Sequence, residues 1–270
     1  MKKLYNKLLL LILVIILPLS LVGCNVTFFD DDYYEDDYAE LYNGVITEKI
    51  IEANFSVYLT SYNVNLLGNK VQEVNTQGSA VIFKKLQSTT EEFTYYLLTN
   101  NHVVYKSPTH AYNDLVVRDC YGQIYNATTV CYDANYDLAV ISFTAKQSYK
   151  SLEFAELMPD KGEVVISMGQ PLGVINAVTI GKIEKFVSVS FENSETHSNK
   201  NISNVQFEVV KHTAPINSGS SGGALLDDDY EICGINYAAS IIEGEEGIAS
   251  GYAIPLKKVK EFLNLKFYVN

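Results

Sequence analysis

The most informative segment of the sequence is Asn217-Ser218-Gly219-Ser220-Ser221-Gly222-Gly223-Ala224-Leu225, in which serines stand among glycines directly before an apolar run. A serine in this setting presents its hydroxyl on a tight turn, because glycine lets the backbone approach closely. Attack on a carbonyl builds negative charge on its oxygen, and each preorganised N–H donor aimed at that oxygen contributes roughly 3–4 kcal/mol. The pattern therefore predicts a nucleophilic serine beside an oxyanion hole.

A nucleophilic serine needs a base, and one of the four histidines lies in a suitable segment. His102 falls within residues 95–104, an apolar run that is typical of a strand. A buried carboxylate must hold the imidazole in one tautomer, and residues 133–141 contain two candidates. Asp137 is favoured because it opens an apolar strand, whereas Asp133 is typical of a turn.

Six motifs in a fixed order connect the chain to a known family. They are TNNHVV (99–104), DANYDLAVI (133–141), MGQPLG (168–173), INSGSSGGALL (216–226), EICGIN (231–236) and GYAIP (251–255). On these motifs, which are spread over residues 47–265, the chain resembles the trypsin-like serine proteases, and among them the bacterial HtrA/Deg proteases. The resemblance implies a Ser-His-Asp triad of Ser221, His102 and Asp137.

The resemblance also implies which serine attacks and which amides surround it. In the family pattern two glycines follow the nucleophile, which selects Ser221. The amides of Gly219 and Ser221 then form the oxyanion hole, with the amide of Ser220 as a further candidate donor. Two alternatives stay open: Ser220 as the nucleophile, which loses the spacing to Gly219, and a direct role for His212, which precedes the expected wall of the substrate cleft.

Composition favours an all-β fold. Residues 45–270 number 226, within the roughly 200–250 that all-β proteins can run as one domain. Short Val-, Ile- and Tyr-rich runs are separated by glycines, as in strands joined by turns. Helical periodicity is confined to residues 47–54 and 256–263.

The resemblance sharpens this expectation to two six-stranded antiparallel barrels, followed by a short C-terminal helix. The first barrel spans about residues 45–150 and carries His102 and Asp137. The second spans about residues 151–262 and carries Ser221. The active site is then expected in the cleft between the barrels.

The resemblance also places a specificity pocket. We expect it to be lined by Pro215, Ile235, Asn236, Tyr237 and Ala238. Trypsin-type pockets carry an aspartate six residues before the serine, where this chain has Pro215. Glutamyl endopeptidases carry a histidine where this chain has Asn236. An apolar pocket for small or medium aliphatic side chains is therefore expected.

The N-terminus predicts export. Three lysines precede an apolar run over residues 8–22; they are Lys2, Lys3 and Lys7. This is the pattern of a signal peptide, and the run is short for a spanning helix. Leu21-Val22-Gly23-Cys24 resembles a lipoprotein box, which predicts removal of residues 1–23 and lipidation of Cys24. An ordinary signal or a single membrane anchor is the alternative, and each reading places the domain outside the cytoplasm.

Residues 24–44 form an acidic, tyrosine-rich segment. Its acids are Asp30, Asp31, Asp32, Glu35, Asp36, Asp37 and Glu40, with Tyr33, Tyr34, Tyr38 and Tyr42 between them. Such dense like charge favours an extended tether between membrane and domain. The resemblance to HtrA proteases, which often form trimers through aromatic residues near the start of the domain, leaves a homotrimer open.

Charge and cysteine content exclude other classes. The net charge is −12, and removal of residues 1–23 leaves −15, so binding to phosphate backbones is not expected. Cys120, Cys131 and Cys233 show no metal-like spacing and are expected to be buried thiols rather than a disulfide. No metal or cofactor is expected. Because the sequence ends at Asn270, no PDZ domain is expected after the protease domain.

Together these features predict an extracytoplasmic, membrane-tethered serine endopeptidase. Its expected substrates are polypeptides, above all unfolded or misfolded exported proteins. The alternative is a catalytically silent, protease-like surface lipoprotein that acts as a binding or chaperone module. A solute-binding lipoprotein is disfavoured, because the long helices that such proteins alternate with strands are missing from the pattern.

Overall fold

The computed structural model describes residues 35–170, 177–188, 199–240 and 250–269 of the protein. The predicted signal segment and Cys24 lie outside the described residues, as do Pro171-Leu172-Gly173 of the third motif. No helix in the described ranges has the length and apolar character needed to cross a membrane.

The first half of the chain forms a curled antiparallel sheet. Its strands are β1 (Asn54–Val64), β2 (Lys70–Gln87), β3 (Phe93–Thr99), β4 (Tyr112–Arg118), β5 (Ile124–Asn126), β6 (Thr128–Asp133) and β7 (Leu138–Ala145). Their order across the sheet is β5-β4-β1-β2-β3-β7-β6. The two end strands are consecutive in the chain and are separated by Ala127 alone. They are therefore two halves of one bent strand, which pairs with β4 before the bend and with β7 after it.

The second half forms a closed barrel. Its strands are β8 (Val164–Gly169), β9 (Ala177–Val187), β10 (Val209–His212), β11 (Ala224–Leu226), β12 (Ile232–Ser240) and β13 (Ser250–Pro255). Their order is β10-β13-β12-β11-β8-β9. The predicted all-β double-barrel fold is confirmed. If β5 and β6 count as one bent strand, the first barrel also has six strands.

The two barrels share a hydrophobic core. Phe55 and Leu138 of the first barrel belong to the same buried cluster as Ile235 of the second. The interior of the first barrel is aromatic: the ring of Phe143 lies 5.1 Å from that of Phe55 and 5.1 Å from that of Tyr95. Close packing across this interface fixes each barrel against the other.

The helices are short. They are α1 (Glu35–Thr47), a 3-10 helix (Ile50–Ala53), α2 (Asn101–Val104) and α3 (Leu256–Lys266). The C-terminal helix α3 returns to the first barrel, where Phe262 packs on Tyr136 with ring centroids 6.0 Å apart. Lys266 forms an ion pair of 3.0 Å with Asp133, the last residue of β6.

Helix α1 differs from the expected extended tether. Residues 35–44 belong to this helix, and Tyr38 and Val45 on it are buried in the shared core. The hydroxyl of Tyr230, in the turn between β11 and β12, donates to the carbonyl of Leu41 over 3.2 Å. The expectation is therefore wrong for residues 35–44, because burial of one apolar helix face outweighs the repulsion among the acidic residues.

Candidate active site

His102 and Asp137 form a close pair at one end of the first barrel. His102 lies on α2, directly after β3, rather than within a strand as expected. Its Nδ1 lies 2.7 Å from Oδ2 of Asp137, and its backbone N–H donates to Oδ1 over 2.9 Å. The Asp137 side chain is fully buried and that of His102 is 10% exposed. One carboxylate thus fixes both the ring and the backbone of the histidine.

A strained backbone places Asp137 in this position. Its φ is 48°, in the left-handed region that residues other than glycine seldom adopt. Its carbonyl accepts a hydrogen bond of 2.9 Å from Nδ2 of Asn100, and its N–H donates to Ala134 over 3.2 Å. Strain of this kind persists where the surroundings over-determine it, and it is concentrated at functional sites.

Asp133, the rejected candidate, has a different environment. Its Oδ1 caps the turn by accepting from the backbone N–H of Asn135 over 2.9 Å. Its Oδ2 faces Lys266. The structure therefore brings Asp137, and not Asp133, to the histidine.

Ser221 is connected to this pair through Tyr237 of β12. The Ser221 hydroxyl donates to the carbonyl oxygen of Tyr237 over 3.3 Å. The ring of Tyr237 lies edge-on to that of His102, with centroids 6.5 Å apart. Segments that are far apart in the sequence thus meet around Tyr237, which was expected from the sequence only as a lining residue of the specificity pocket.

One backbone N–H of the serine turn, that of Ser220, already donates a hydrogen bond within the turn. The N–H of Ser220 donates to the carbonyl of Asn217 over 2.9 Å, so the expected contribution of Ser220 to an oxyanion hole is wrong. In the described part of the chain, no hydrogen bond occupies the N–H groups of Gly219 and Ser221. The Ser220 side chain is buried and accepts from the N–H of Asn217 over 3.2 Å, which also disfavours Ser220 as the nucleophile.

Ser79 of β2 holds this turn from the first barrel, a role that is not predicted from the sequence. Its N–H donates to the carbonyl of Ser221 over 2.8 Å, and its hydroxyl donates to the carbonyl of Gly219 over 2.7 Å. The signal that could have revealed it is the pair Gly78-Ser79, two small residues inside a long strand.

Gly222 lies in close contact with the first barrel. Its φ is +87°, and a Cβ built there would lie 2.2 Å from the Ser79 carbonyl and 2.3 Å from Oγ1 of Thr99. Only glycine combines this backbone conformation with such a close approach.

The expected specificity pocket needs correction at two positions. Ile235 has no exposed surface and packs in the shared core. Asn236 is also fully buried, and its Nδ2 donates to Oγ of Ser167 over 2.9 Å. Neither residue can line an open pocket. Tyr237 and Ala238 keep a small exposed fraction, and Pro215 is partly exposed.

His212 lies on β10 of the second barrel and has no exposed surface. The ring packs against Gly251, and neither ring nitrogen has a partner in good geometry among the described residues. Burial lowers the pKa of His212 to about 4, although the backbone of Ala214 and the side chain of Asn236 oppose this shift. It is a buried neutral histidine.

The cysteines of the described residues are free thiols. Cys233 is buried, and Cys120 and Cys131 are partly buried. Burial raises the pKa of the Cys120 thiol to about 11, which makes it a poor nucleophile at neutral pH. In the same ranges no group of three or more His, Cys, Asp or Glu side chains is placed to hold a metal ion.

Comparison with known proteins adds sequence relationships to this geometry. The family model described as trypsin-like peptidase domain matches residues 78–235. The serine protease Do-like HtrA of Bacillus subtilis (strain 168) is 34% identical over 189 residues, which are 68% of this chain and 37% of that protein. The serine protease Do-like HtrA of Lactobacillus helveticus is 30% identical over 196 residues, 71% of this chain and 43% of that protein.

A third relative carries a compartment in its name. The probable periplasmic serine endoprotease DegP-like of Buchnera aphidicola subsp. Baizongia pistaciae (strain Bp) is 32% identical over 166 residues, 61% of this chain and 32% of that protein. The chain spans less than half the length of these three relatives. It belongs to the family of trypsin-like peptidase domains and is homologous to the HtrA/DegP serine proteases over that domain.

Proposed function

We propose that this protein is a serine endopeptidase in which Ser221, His102 and Asp137 form the catalytic triad. The observation that carries the proposal is the buried Asp137 carboxylate, which holds both the ring and the backbone of His102. A carboxylate in this arrangement fixes the imidazole tautomer and stabilises the imidazolium that forms during the reaction. Family membership supports the same assignment.

The mechanism is acyl transfer. His102 takes the proton of the Ser221 hydroxyl, and the oxygen attacks the peptide carbonyl. The N–H groups of Gly219 and Ser221 stabilise the negative charge that develops on the carbonyl oxygen. His102 then gives its proton to the leaving amine. A water molecule, activated by the same histidine, hydrolyses the acyl-enzyme and restores the serine.

The test compares the wild type with single triad variants. Ser221→Ala and His102→Ala are expected to lose on the order of 10⁶ in kcat, because the triad acts as a unit. Asp137→Asn is expected to lose roughly 10⁴ through the wrong tautomer. Cleavage of denatured casein measures the turnover of each variant, and labelling by a fluorophosphonate probe measures the reactivity of its serine. A folded wild type that does neither would favour the silent binding lipoprotein, and undiminished cleavage by Ser221→Ala would overturn the triad.

Unfolded or misfolded exported polypeptides are the proposed substrates. Pro215 provides no carboxylate at the position where trypsin-type pockets have one. A small or medium aliphatic side chain is therefore the proposed preference before the scissile bond. Profiling with a peptide library tests this, and a preference for Arg, Lys or Glu would overturn it.

We also propose that the protein acts outside the cytoplasm, anchored by lipid on Cys24. The lysines and the apolar run before Cys24 support export, and two or more acyl chains give stable anchoring. Cys24→Ala is expected to move the mature protein from the membrane fraction to the soluble fraction. An unchanged distribution would overturn the anchor. The homotrimer stays a prediction, which light scattering of the purified domain tests.

A further inference from the structure

A short segment ahead of β10 crosses from the second barrel to the first. It comprises residues 202–204, which we call the bridge segment. Nδ2 of Asn101 donates to the carbonyl of Ile202 over 2.6 Å. The N–H of Asn204 donates to the carbonyl of Ala134 over 2.7 Å, and its Nδ2 donates to Oδ1 of Asn135 over 2.8 Å. The bridge segment therefore binds the first barrel at two separate places.

Both places adjoin the proposed catalytic pair. Asn101 immediately precedes His102 on α2. The carbonyl of Ala134 accepts from Asn204 and also from the N–H of Asp137, over 3.2 Å. The bridge segment thus contacts the element that carries the histidine and the turn that carries the aspartate.

A third contact leads to the proposed nucleophile. Ser203 is 2% exposed, and its hydroxyl lies 3.3 Å from that of Tyr237. Burial raises the pKa of the Tyr237 phenol well above its usual range, so the phenol remains protonated and able to donate. The carbonyl of Tyr237 accepts from the Ser221 hydroxyl. The bridge segment is therefore linked to all three members of the proposed triad.

We infer that the bridge segment positions His102 and Asp137 relative to Ser221. This inference rests on the proposed function. The histidine and aspartate belong to one barrel and the serine to the other, so any shift between barrels changes the distance over which the proton must move. A misplacement of about 1 Å can reduce turnover by roughly 10²-fold. Asn101, Ser203 and Asn204 are accordingly positioning residues that touch neither substrate nor the reacting atoms.

The experiment uses the mature chain with three variants. Asn101→Ala and Asn204→Ala each remove one side-chain hydrogen bond between the bridge segment and the first barrel, and Asn201→Ala is the matched control. Asn201 lies on the same stretch, but its side chain is exposed. Titration with a fluorophosphonate gives the number of competent sites, and steady-state cleavage of a peptide gives kcat per titrated site and KM. Thermal unfolding shows whether each variant is folded.

We expect kcat per titrated site to fall about 10- to 100-fold in Asn101→Ala and Asn204→Ala. KM and the titrated fraction should change little, and Asn201→Ala should match the wild type. A purely structural role predicts the opposite: fewer competent sites with an undiminished kcat for each. That outcome, or an equal loss in Asn201→Ala, would overturn the inference. A folded wild type that neither cleaves nor reacts would instead overturn the proposed function, and the inference with it.

A double-mutant cycle tests the third contact. Ser203→Ala and Tyr237→Phe each remove one of the two hydroxyls that face each other. If the contact between these hydroxyls positions Ser221, the combined variant should lose no more turnover than the more damaging single variant. Additive losses would show that the two hydroxyls act independently, which would overturn this part of the inference.

Discussion

The hydroxyl of Ser79 donates a hydrogen bond of 2.7 Å to the carbonyl oxygen of Gly219, although 140 positions separate the two residues. The same oxygen of Ser79 accepts from the N–H of Gln170 over 2.9 Å. One buried side chain of the first barrel thus ties together two segments of the second. The conformation of the turn around Gly219, which orients the proposed oxyanion donors, therefore depends on a strand that carries no triad residue.

We expect Ser79→Ala to lower kcat by about 10- to 100-fold, approaching the loss of an oxyanion donor. The reason is that the Gly219 carbonyl loses its partner and the turn can rotate. Unpaired buried groups should also reduce the free energy of unfolding by about 1–3 kcal/mol. Peptide cleavage and denaturant unfolding measure the two effects. Wild-type kcat in the variant would contradict this account of the turn.

Ser56→Ala is the matched control for that variant. Ser56 is also a fully buried serine of the first barrel, but its hydroxyl has no hydrogen-bond partner among the described residues. Its removal leaves no group newly unsatisfied, so the free energy of unfolding should be unchanged or higher. Turnover should equal that of the wild type.

Gly222→Ala should abolish fluorophosphonate labelling. A Cβ at this position meets the Ser79 carbonyl and Thr99, so the serine turn must move away from the first barrel. Gly122→Ala separates this effect from backbone strain, because Gly122 has a similar φ of +89° but nothing within 4 Å of the added Cβ. The control should lose about 1–3 kcal/mol of stability through strain and keep its labelling rate. Equal labelling by the two variants would refute the steric argument.

The residues of the proposed triad could be chosen from the sequence because each has a local signal. Ser221 stands among glycines, and Asp137 directly precedes an apolar strand. Ser79 and the bridge segment could not be chosen, because their roles depend on contacts between barrels. Nothing in the local pattern around Ser203 or Asn204 indicates such contacts.

For helix α1 the sequence does contain a helical signal, but the density of acidic residues led to the expectation of an extended segment. Tyr38, Leu41, Tyr42 and Val45 recur at the spacing i, i+3, i+4, i+7 of an amphipathic helix. The density of acidic residues favoured an extended segment instead. The periodicity predicted the structure correctly, because burial of an apolar helix face contributes more free energy than repulsion among exposed, solvent-screened charges costs.

The free energy of unfolding should decrease as the pH is lowered, because His212 is buried in its neutral form. The pKa of His212 is lowered by burial from 6.5 to about 4. Between these values the unfolded chain binds the proton and the folded chain does not. The free energy of unfolding is therefore not reduced by His212 above pH 6.5, and it is progressively reduced as the pH falls from 6.5 towards 4. The difference amounts to about 3 kcal/mol.

Denaturant unfolding at pH 7, 6, 5 and 4 measures this dependence. His212→Gln carries no titrating group at this position, and the other ionisable groups are common to both proteins. The difference in the free energy of unfolding between wild type and variant should therefore change steadily from pH 7 to pH 4. A constant difference would show that His212 can be protonated in the folded state without cost.

Tyr38→Ala tests whether α1 is part of the folded domain. Tyr38 is 8% exposed and belongs to the shared core, so its truncation should cost about 2–4 kcal/mol. Detachment of the helix should also expose residues 35–47 to limited proteolysis at temperatures where the barrels stay folded. Glu40→Ala, at an exposed position of the same helix, should change neither property. Unchanged stability and protection in Tyr38→Ala would mean that the acidic segment is a tether after all and not part of the folded domain.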